Sequence, residues 1–235
     1  QLYELAGDVL GFDVAKTSFE GDEDTLGQTA VAQPCIYTLS LAAYTAVKEL
    51  CGDADVYAGH SLGEYAALTA AGVIHPEDGF AIIRCRAQAM QEAAEETKGA
   101  MYAILTDDLQ AITSACDHTP GYVIPVNYNS HMQTVIAGEE EAAKAAADIL
   151  ADQGFRVVKL AVNAAFHSNL MEGAARQLEE KISGFHFGRL QKTFYSNVTG
   201  NKVESIEDLP AYLANHMVSP VRFTSQLEEM NRDFY

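Results

Sequence analysis

The sequence predicts an α/β protein whose mainly parallel sheet is interrupted by an inserted β-α-β-β-α-β subdomain. Three observations carry this prediction. A short apolar run at 54–58 passes through Gly59-His60-Ser61-Leu62-Gly63 straight into helical composition, the strand–turn–helix join of a parallel α/β unit. Between 99 and 160 the texture changes to strand, helix, strand, strand, helix, strand. Beyond Asn163 the chain returns to the helix-and-strand texture of its first part.

Taken in order, the first strong element is a helix over 35–51, apolar on nearly every face and so expected inside the protein. The stretch 25–47 carries no charge, but Gln28, Gln33, Pro34, Thr38, Ser40 and Thr45 interrupt it, which favours a core helix beginning near Pro34 over a membrane span. The run at 54–58 reads as a strand, 62–71 as a helix stopped by Gly72, and 76–97 as a helix opened by Pro76. In the insertion, strands are predicted at 100–105, 122–127, 133–137 and 156–160, with helices at 107–117 and 139–153. That order is ferredoxin-like, with boundaries at 99 and 160 separating it from a main domain of 1–98 and 161–235. An amphipathic helix over 169–184 and a strand at 193–196 follow, then loops and short helices.

A chain of 235 residues with 48% hydrophobic residues can bury a sizeable core. Its formal net charge of −18 repels phosphate backbones and anionic membranes, which excludes nucleic acid and lipid surfaces as partners. An acidic ligand would need a local basic patch, for which Arg84, Arg86, Arg156, Lys159, Arg189, Lys192 and Arg222 are the candidates. Cys35, Cys51, Cys85 and Cys116 form no CxxC pair and no zinc spacing, so buried reduced thiols and a cytoplasmic location are expected. No metal site is expected. No signal peptide is visible, and the chain starts at Gln1 and stops at Tyr235 inside a helical pattern, so longer natural ends are expected.

The chemistry starts at Ser61. Glycines on both sides of a serine between strand and helix suit a strained turn that lifts the hydroxyl above the sheet. The helix that follows aims its dipole and the Leu62 N–H at the same point, where an oxyanion would form. A helix N-cap serine after a glycine turn has the same local pattern. A serine nucleophile needs a base, and His167, at a strand-to-helix junction on the return to the main domain, is the best placed of seven histidines. Arg86 sits among Ile83, Cys85, Ala87 and Met90, where it must pair with an acid of the protein or of a substrate, unless it snorkels to the surface.

The segment Ala58-Gly59-His60-Ser61-Leu62-Gly63-Glu64-Tyr65 resembles the active-site segment of malonyl-CoA:acyl carrier protein transacylases and polyketide-synthase acyltransferase domains. The resemblance continues through Gln33-Pro34, Arg86 with Met90-Gln91, Val126-Asn127-Tyr128-Asn129-Ser130, Phe166-His167-Ser168 and Ser219-Pro220-Val221-Arg222-Phe223, in the family's order. It implies an α/β hydrolase-like core, Ser61 as the acylated residue, His167 as its base and Arg86 as the ligand of the malonyl carboxylate. Leu62 and Phe166 resemble malonyl-selecting members, and His60, Asn127, Asn129 and Gln33 would support the site. Malonyl-CoA would be the substrate and the phosphopantetheine thiol of acyl carrier protein the acceptor, with no bound cofactor and a monomeric enzyme. Lys159, Arg189 and Lys192 are the candidates for carrier docking. The family's glycine- and glutamine-rich segment before residue 1, and the segment after Tyr235 that would orient the histidine through a carbonyl, are not in this sequence. Three other readings share these residues: a serine thioesterase or esterase, an acyltransferase module of a larger synthase, and a silent carrier-docking module. An esterase should place an acid between Ser61 and His167, where the sequence offers acids mostly in the insertion or on alanine-rich helices.

Overall fold

The computed structural model describes residues 1–234 and opens with four helices, α1 (Leu2–Leu10), α2 (Val14–Glu20), α3 (Glu23–Leu26) and α4 (Thr29–Cys51). Asp13 and Asp22 start α2 and α3 by accepting from the Lys16 and Thr25 N–H groups. α4 begins five residues before Pro34 (34 − 29), not at it. So close to the helix start the ring costs one intrahelical bond, to the Ala30 carbonyl, and the helix runs on. Nor does α4 lie wholly inside. Gln33, Cys35, Tyr37, Thr38 and Leu41 face the core, while Ile36, Leu39, Val47 and Leu50 are exposed, because α5 and α6 pack against one face only. By length and composition α4 could cross a membrane, yet its polar Gln33 is spent inside the protein on Arg86.

β1 (Val56–Tyr57) leads into α5 (Leu62–Ala70), which ends before Gly72 in the left-handed region (φ 80), and α6 (Pro76–Glu96) begins with proline in its first turn. α4 and α6 touch so closely at Gly79 that a Cβ there would lie 1.9 Å from the Tyr37 hydroxyl. The main core gathers Tyr37, Tyr65, Leu68, Phe80, Ile82, Ile83, Leu178, Phe194 and Leu213 around these helices.

The insertion contains β2 (Gly99–Leu105), α7 (Leu109–His118), β3 (Val123–Ser130), β4 (Gln133–Glu139), α8 (Glu140–Asp152) and β5 (Arg156–Lys159). Its strands form one antiparallel sheet in the order β3-β4-β2-β5. The two-residue period of β2 explains why it is buried on both faces: Ala100, Tyr102 and Ile104 pack with α7 and α8, Met101 and Ala103 with Val126, Val135 and Ala165.

A 3-10 turn (Asn169–Met171), α9 (Glu172–Ile182), β6 (Thr193–Tyr195), β7 (Lys202–Val203), α10 (Leu209–Val218) and α11 (Phe223–Phe234) complete the chain. After 196 the expected loops and short helices are present as α10 and α11, and a two-residue strand, β7, is added. α11 carries the helical pattern expected at the end of the sequence and buries Gln226 alone. The main sheet, β1-β6-β7, is mixed rather than mainly parallel: β1 and β6 run parallel, β7 antiparallel. Val221 ties the two parts together, donating to Val126 O (2.7 Å) and accepting from Tyr128 N–H (2.9 Å).

Candidate active site

Parallel pairing of β1 with β6 brings the turns after both strands to the same sheet edge. After β1 comes Ser61, with φ 52° and ψ −111°, a conformation that L-residues rarely hold. Gly59 makes the turn possible, since a Cβ there would lie 2.0 Å from the backbone carbon of Gly63. Gly63 is different: a Cβ would meet nothing within 4 Å, so the elbow requires one of the two glycines by sterics and not both.

Ser61 occupies the N-cap position of α5 but makes no capping bond, which overturns the plain N-cap reading. Its Oγ lies 2.7 Å from His167 Nε2. His167 is 3% exposed and also left-handed, with φ 61°. Its Nδ1 is 3.2 Å from the His216 carbonyl and 3.1 Å from the Ser219 carbonyl. Carbonyls only accept, so Nδ1 carries the proton and Nε2 turns its lone pair to the serine. Burial, helped by the Arg86 guanidinium, pulls the His167 pKa down to about 3 against the pull of these carbonyls, so the ring is neutral at pH 7. The orienting carbonyls therefore come from α10 and the loop after it, not from beyond Tyr235. No carboxylate among the described residues contacts His167, unlike an acid-based triad. The Leu62 N–H, first in α5, has no intrahelical partner among the described residues, as the first N–H groups of a helix do not.

Arg86 is 1% exposed and has no salt bridge among the described residues. Its Nη1 donates to Gln33 Oε1 (2.5 Å), its guanidinium lies 5.1 Å from the Tyr65 ring centre, and its buried Nε has no partner. Gln33 in turn meets Met90 Sδ at 3.4 Å. His60, exposed at the turn, bonds Asn129 Oδ1 of β3 (2.7 Å) and packs edge-on against Phe223. Phe166 is half-buried between the main core and the insertion, and Asn127 sits buried on β3 where Val221 crosses it. Of the docking candidates, Lys192 is paired with Asp53 (3.5 Å) and bonds Ala54 O, at the amino end of β1 and away from Ser61. Lys159 and Arg189 are exposed, on β5 and beside a 750 Å³ cleft bordered by Phe185, Phe187 and Asp208.

Sequence reasoning missed a buried polar group behind the serine, Glu64, Asn197, His216 and Gln226, with the half-buried Tyr212 at its edge. One signal was available in Glu64, a lone carboxylate on an otherwise apolar helix. Burial pushes it up to about 8 although Tyr212 and the Asn197 N–H donate to it. Among the described residues, no cluster of His, Cys, Asp and Glu could hold a metal ion.

The family model described as "Acyl transferase domain" matches residues 4–234. The chain belongs to the acyl transferase family. Its relatives include the malonyl CoA-acyl carrier protein transacylases of Haemophilus influenzae (35% identical, 99% of this chain and 76% of that protein) and Escherichia coli K12 (35%, 98% and 76%). A malonyl transacylase solved in complex with a type II polyketide-synthase acyl carrier protein is 37% identical with a TM-score of 0.93, over 99% of this chain and 77% of that one. A polyketide biosynthesis protein of Burkholderia thailandensis matches 97% of this chain with 20% of its own length at 34% identity, so this acyltransferase unit also occurs inside larger proteins.

Proposed function

We propose that this acyltransferase moves a malonyl group from malonyl-CoA to the phosphopantetheine thiol of acyl carrier protein through an ester on Ser61. The observation that carries the malonyl assignment is Arg86: a buried guanidinium, uncompensated by any acid among the described residues, close enough to His167 to depress its basicity. A desolvated cation needs an anion, and a free carboxylate on the acyl group supplies one.

The cycle has two halves. His167 Nε2 takes the Ser61 proton as Oγ attacks the thioester carbonyl, and the Leu62 N–H holds the oxyanion. The C–S bond breaks and His167 returns the proton to the departing coenzyme A thiolate. The carrier thiol then gives its proton to His167 and attacks the malonyl ester, and Ser61 leaves with that proton. Leu62 and Phe166 border the acyl group, and His60, Asn127 and Gln33 hold the walls of the site. The chain needs no bound cofactor for this chemistry.

The architecture is read as an α/β hydrolase-like core, 1–98 and 161–235, carrying a ferredoxin-like subdomain over 99–160. The antiparallel order β3-β4-β2-β5 with both helices on one face supports the second name. The strand–elbow–helix at Ser61 supports the first.

Intact-protein mass spectrometry after mixing with malonyl-CoA tests the function. An adduct that Ser61→Ala abolishes and that added carrier protein discharges is the expected result. An adduct lost equally fast to water makes the protein a thioesterase.

A further inference from the structure

We infer that Asn197 is the positioning residue of the nucleophile, its side-chain amide bridging the Gly59 carbonyl and the Ser61 N–H to hold the serine in its left-handed conformation. This rests on the reading of Ser61 as the acylated residue.

A strained backbone persists only where its surroundings over-determine it. β1 ends at Tyr57, so no ladder reaches the elbow, and the turn's own bonds, Gly63 N–H to His60 O and Glu64 N–H to Ser61 O, are ordinary first-turn bonds of α5. Among the described residues, the hydrogen bonds that grip the backbone of Gly59 and Ser61 from another element are those of Asn197. Its Oδ1 accepts from Ser61 N–H (2.6 Å) and its Nδ2 donates to Gly59 O (2.6 Å). One acceptor and one donor, meeting residues two apart on one chain, do what a neighbouring strand does in a ladder.

The orientation of the amide follows from chemistry. An N–H must face Oδ1, and the Gly59 and Gln226 oxygens must face Nδ2. Gln226 Oε1 takes the second Nδ2 proton at 2.9 Å, and its own Nε2 donates to Tyr195 O at 2.6 Å, which locks the amide plane to the end of β6. The Asn197 backbone is held as firmly. Its N–H donates to Glu64 Oε2 (2.6 Å), three residues past the serine, and its carbonyl accepts from Arg222 N–H (3.0 Å). Asn197 is 1% exposed, Gln226 and Glu64 0%. Because Asn197 occupies the Ser61 N–H, that group is withheld from the oxyanion, and the Leu62 N–H serves instead. Glu64 also accepts from Tyr212, one turn before His216 on α10, so the elbow and the carbonyl that orients the base share one buried network.

The test uses full-length protein and two readouts: the rate of Ser61 labelling by a fluorophosphonate, and kcat and KM for malonyl transfer. Misplacing an attacking atom by about 1 Å costs on the order of 10²-fold in rate. Asn197→Ala is therefore expected to lower kcat and the labelling rate per active site together by about 10²-fold, with KM for malonyl-CoA changed less than about threefold. Asn197→Asp keeps the shape and the acceptor but loses the donor to Gly59, and labelling about tenfold slower is expected. A purely structural role would lower the melting temperature and the titrated fraction of active sites while leaving the rate per site unchanged, and that outcome overturns the inference. If Asn197→Ala does not fold, Asn197→Asp decides, and labelling at the parent rate overturns the inference. Ser61→Ala is the separate control: if it still labels and transfers at the parent rate, Ser61 is not the nucleophile and both readings fall.

Discussion

In the proposed cycle, burial gives Arg86 its selectivity and His167 its basicity. Arg86→Ala removes the only charge assigned to the malonyl carboxylate, and breaking such a desolvated pair costs about 2–5 kcal/mol. Competition between malonyl-CoA and acetyl-CoA should therefore shift toward acetyl transfer by at least about tenfold in the ratio of kcat/KM values, and an unchanged ratio removes Arg86 from the acyl pocket. His167, with its pKa drawn down to about 3, should give kcat/KM no acidic limb from the base between pH 5 and 8; a limb near 6.5 would show a solvated imidazole. The two buried titrating groups act on stability with opposite sign. His167 has a depressed folded pKa, so its contribution is full above about 6.5 and fades as pH falls toward 3. Glu64 has a raised one, so its contribution is full below about 4.3 and fades as pH rises through about 8. In thermal melts from pH 5 to 8, Glu64→Gln should gain on the parent protein as pH rises; parallel curves would mean that Glu64 does not titrate there.

At the scale of elements, the turn between β1 and α5 concentrates the strain, and its two glycines separate cleanly. Gly59→Ala drives a Cβ into the Gly63 backbone and should cost at least about 3 kcal/mol in urea unfolding. Gly63→Ala meets open space on a helix and should stabilise by up to about 1 kcal/mol. A motif read as symmetric thus has one steric glycine and one permissive one. Elements with a local signature were legible in advance. α6 carries Pro76 at its start, and the insertion's strands and helices alternate within a residue or three of their observed bounds. β7 escaped because two residues carry no signature of their own, and α10 and α11 were legible as short helices without bounds, since what docks them is distant: α11 docks through the buried amide of Gln226, and α10 through Tyr212 and His216. The start of α4 was misplaced for the opposite reason. A local rule about proline was applied where the first turns of a helix tolerate the ring.

For the whole molecule, an acidic protein of net charge −18 proposed to bind an acidic carrier can dock only where the local field is favourable. Lys192 is neutralised by Asp53 at the far end of the sheet, whereas Arg222 is exposed and its backbone is bonded to Asn197 behind the serine. Arg222→Glu should raise KM for the carrier protein by about tenfold with kcat held, and Lys192→Glu should leave both unchanged. The Arg222 effect should shrink as salt approaches 0.5 M. Equal effects of the two variants would place docking elsewhere.

By itself, the sequence announced the α/β class and the strand-and-helix texture of 99–160, and offered Ser61, His167 and Arg86 as candidates, because periodicity, turn glycines and a charged residue in an apolar helix are local facts; the roles proposed for the three came from the family resemblance. Only the tertiary structure decided how that set is held. The carbonyls of His216 and Ser219 that fix the tautomer lie 49 and 52 residues from His167, and the amide of Asn197 lies 136 residues from the Ser61 N–H it accepts. Backbone acceptors and neutral amides leave no pattern in composition or spacing. They become functional only when folding takes them out of water and leaves them one partner each.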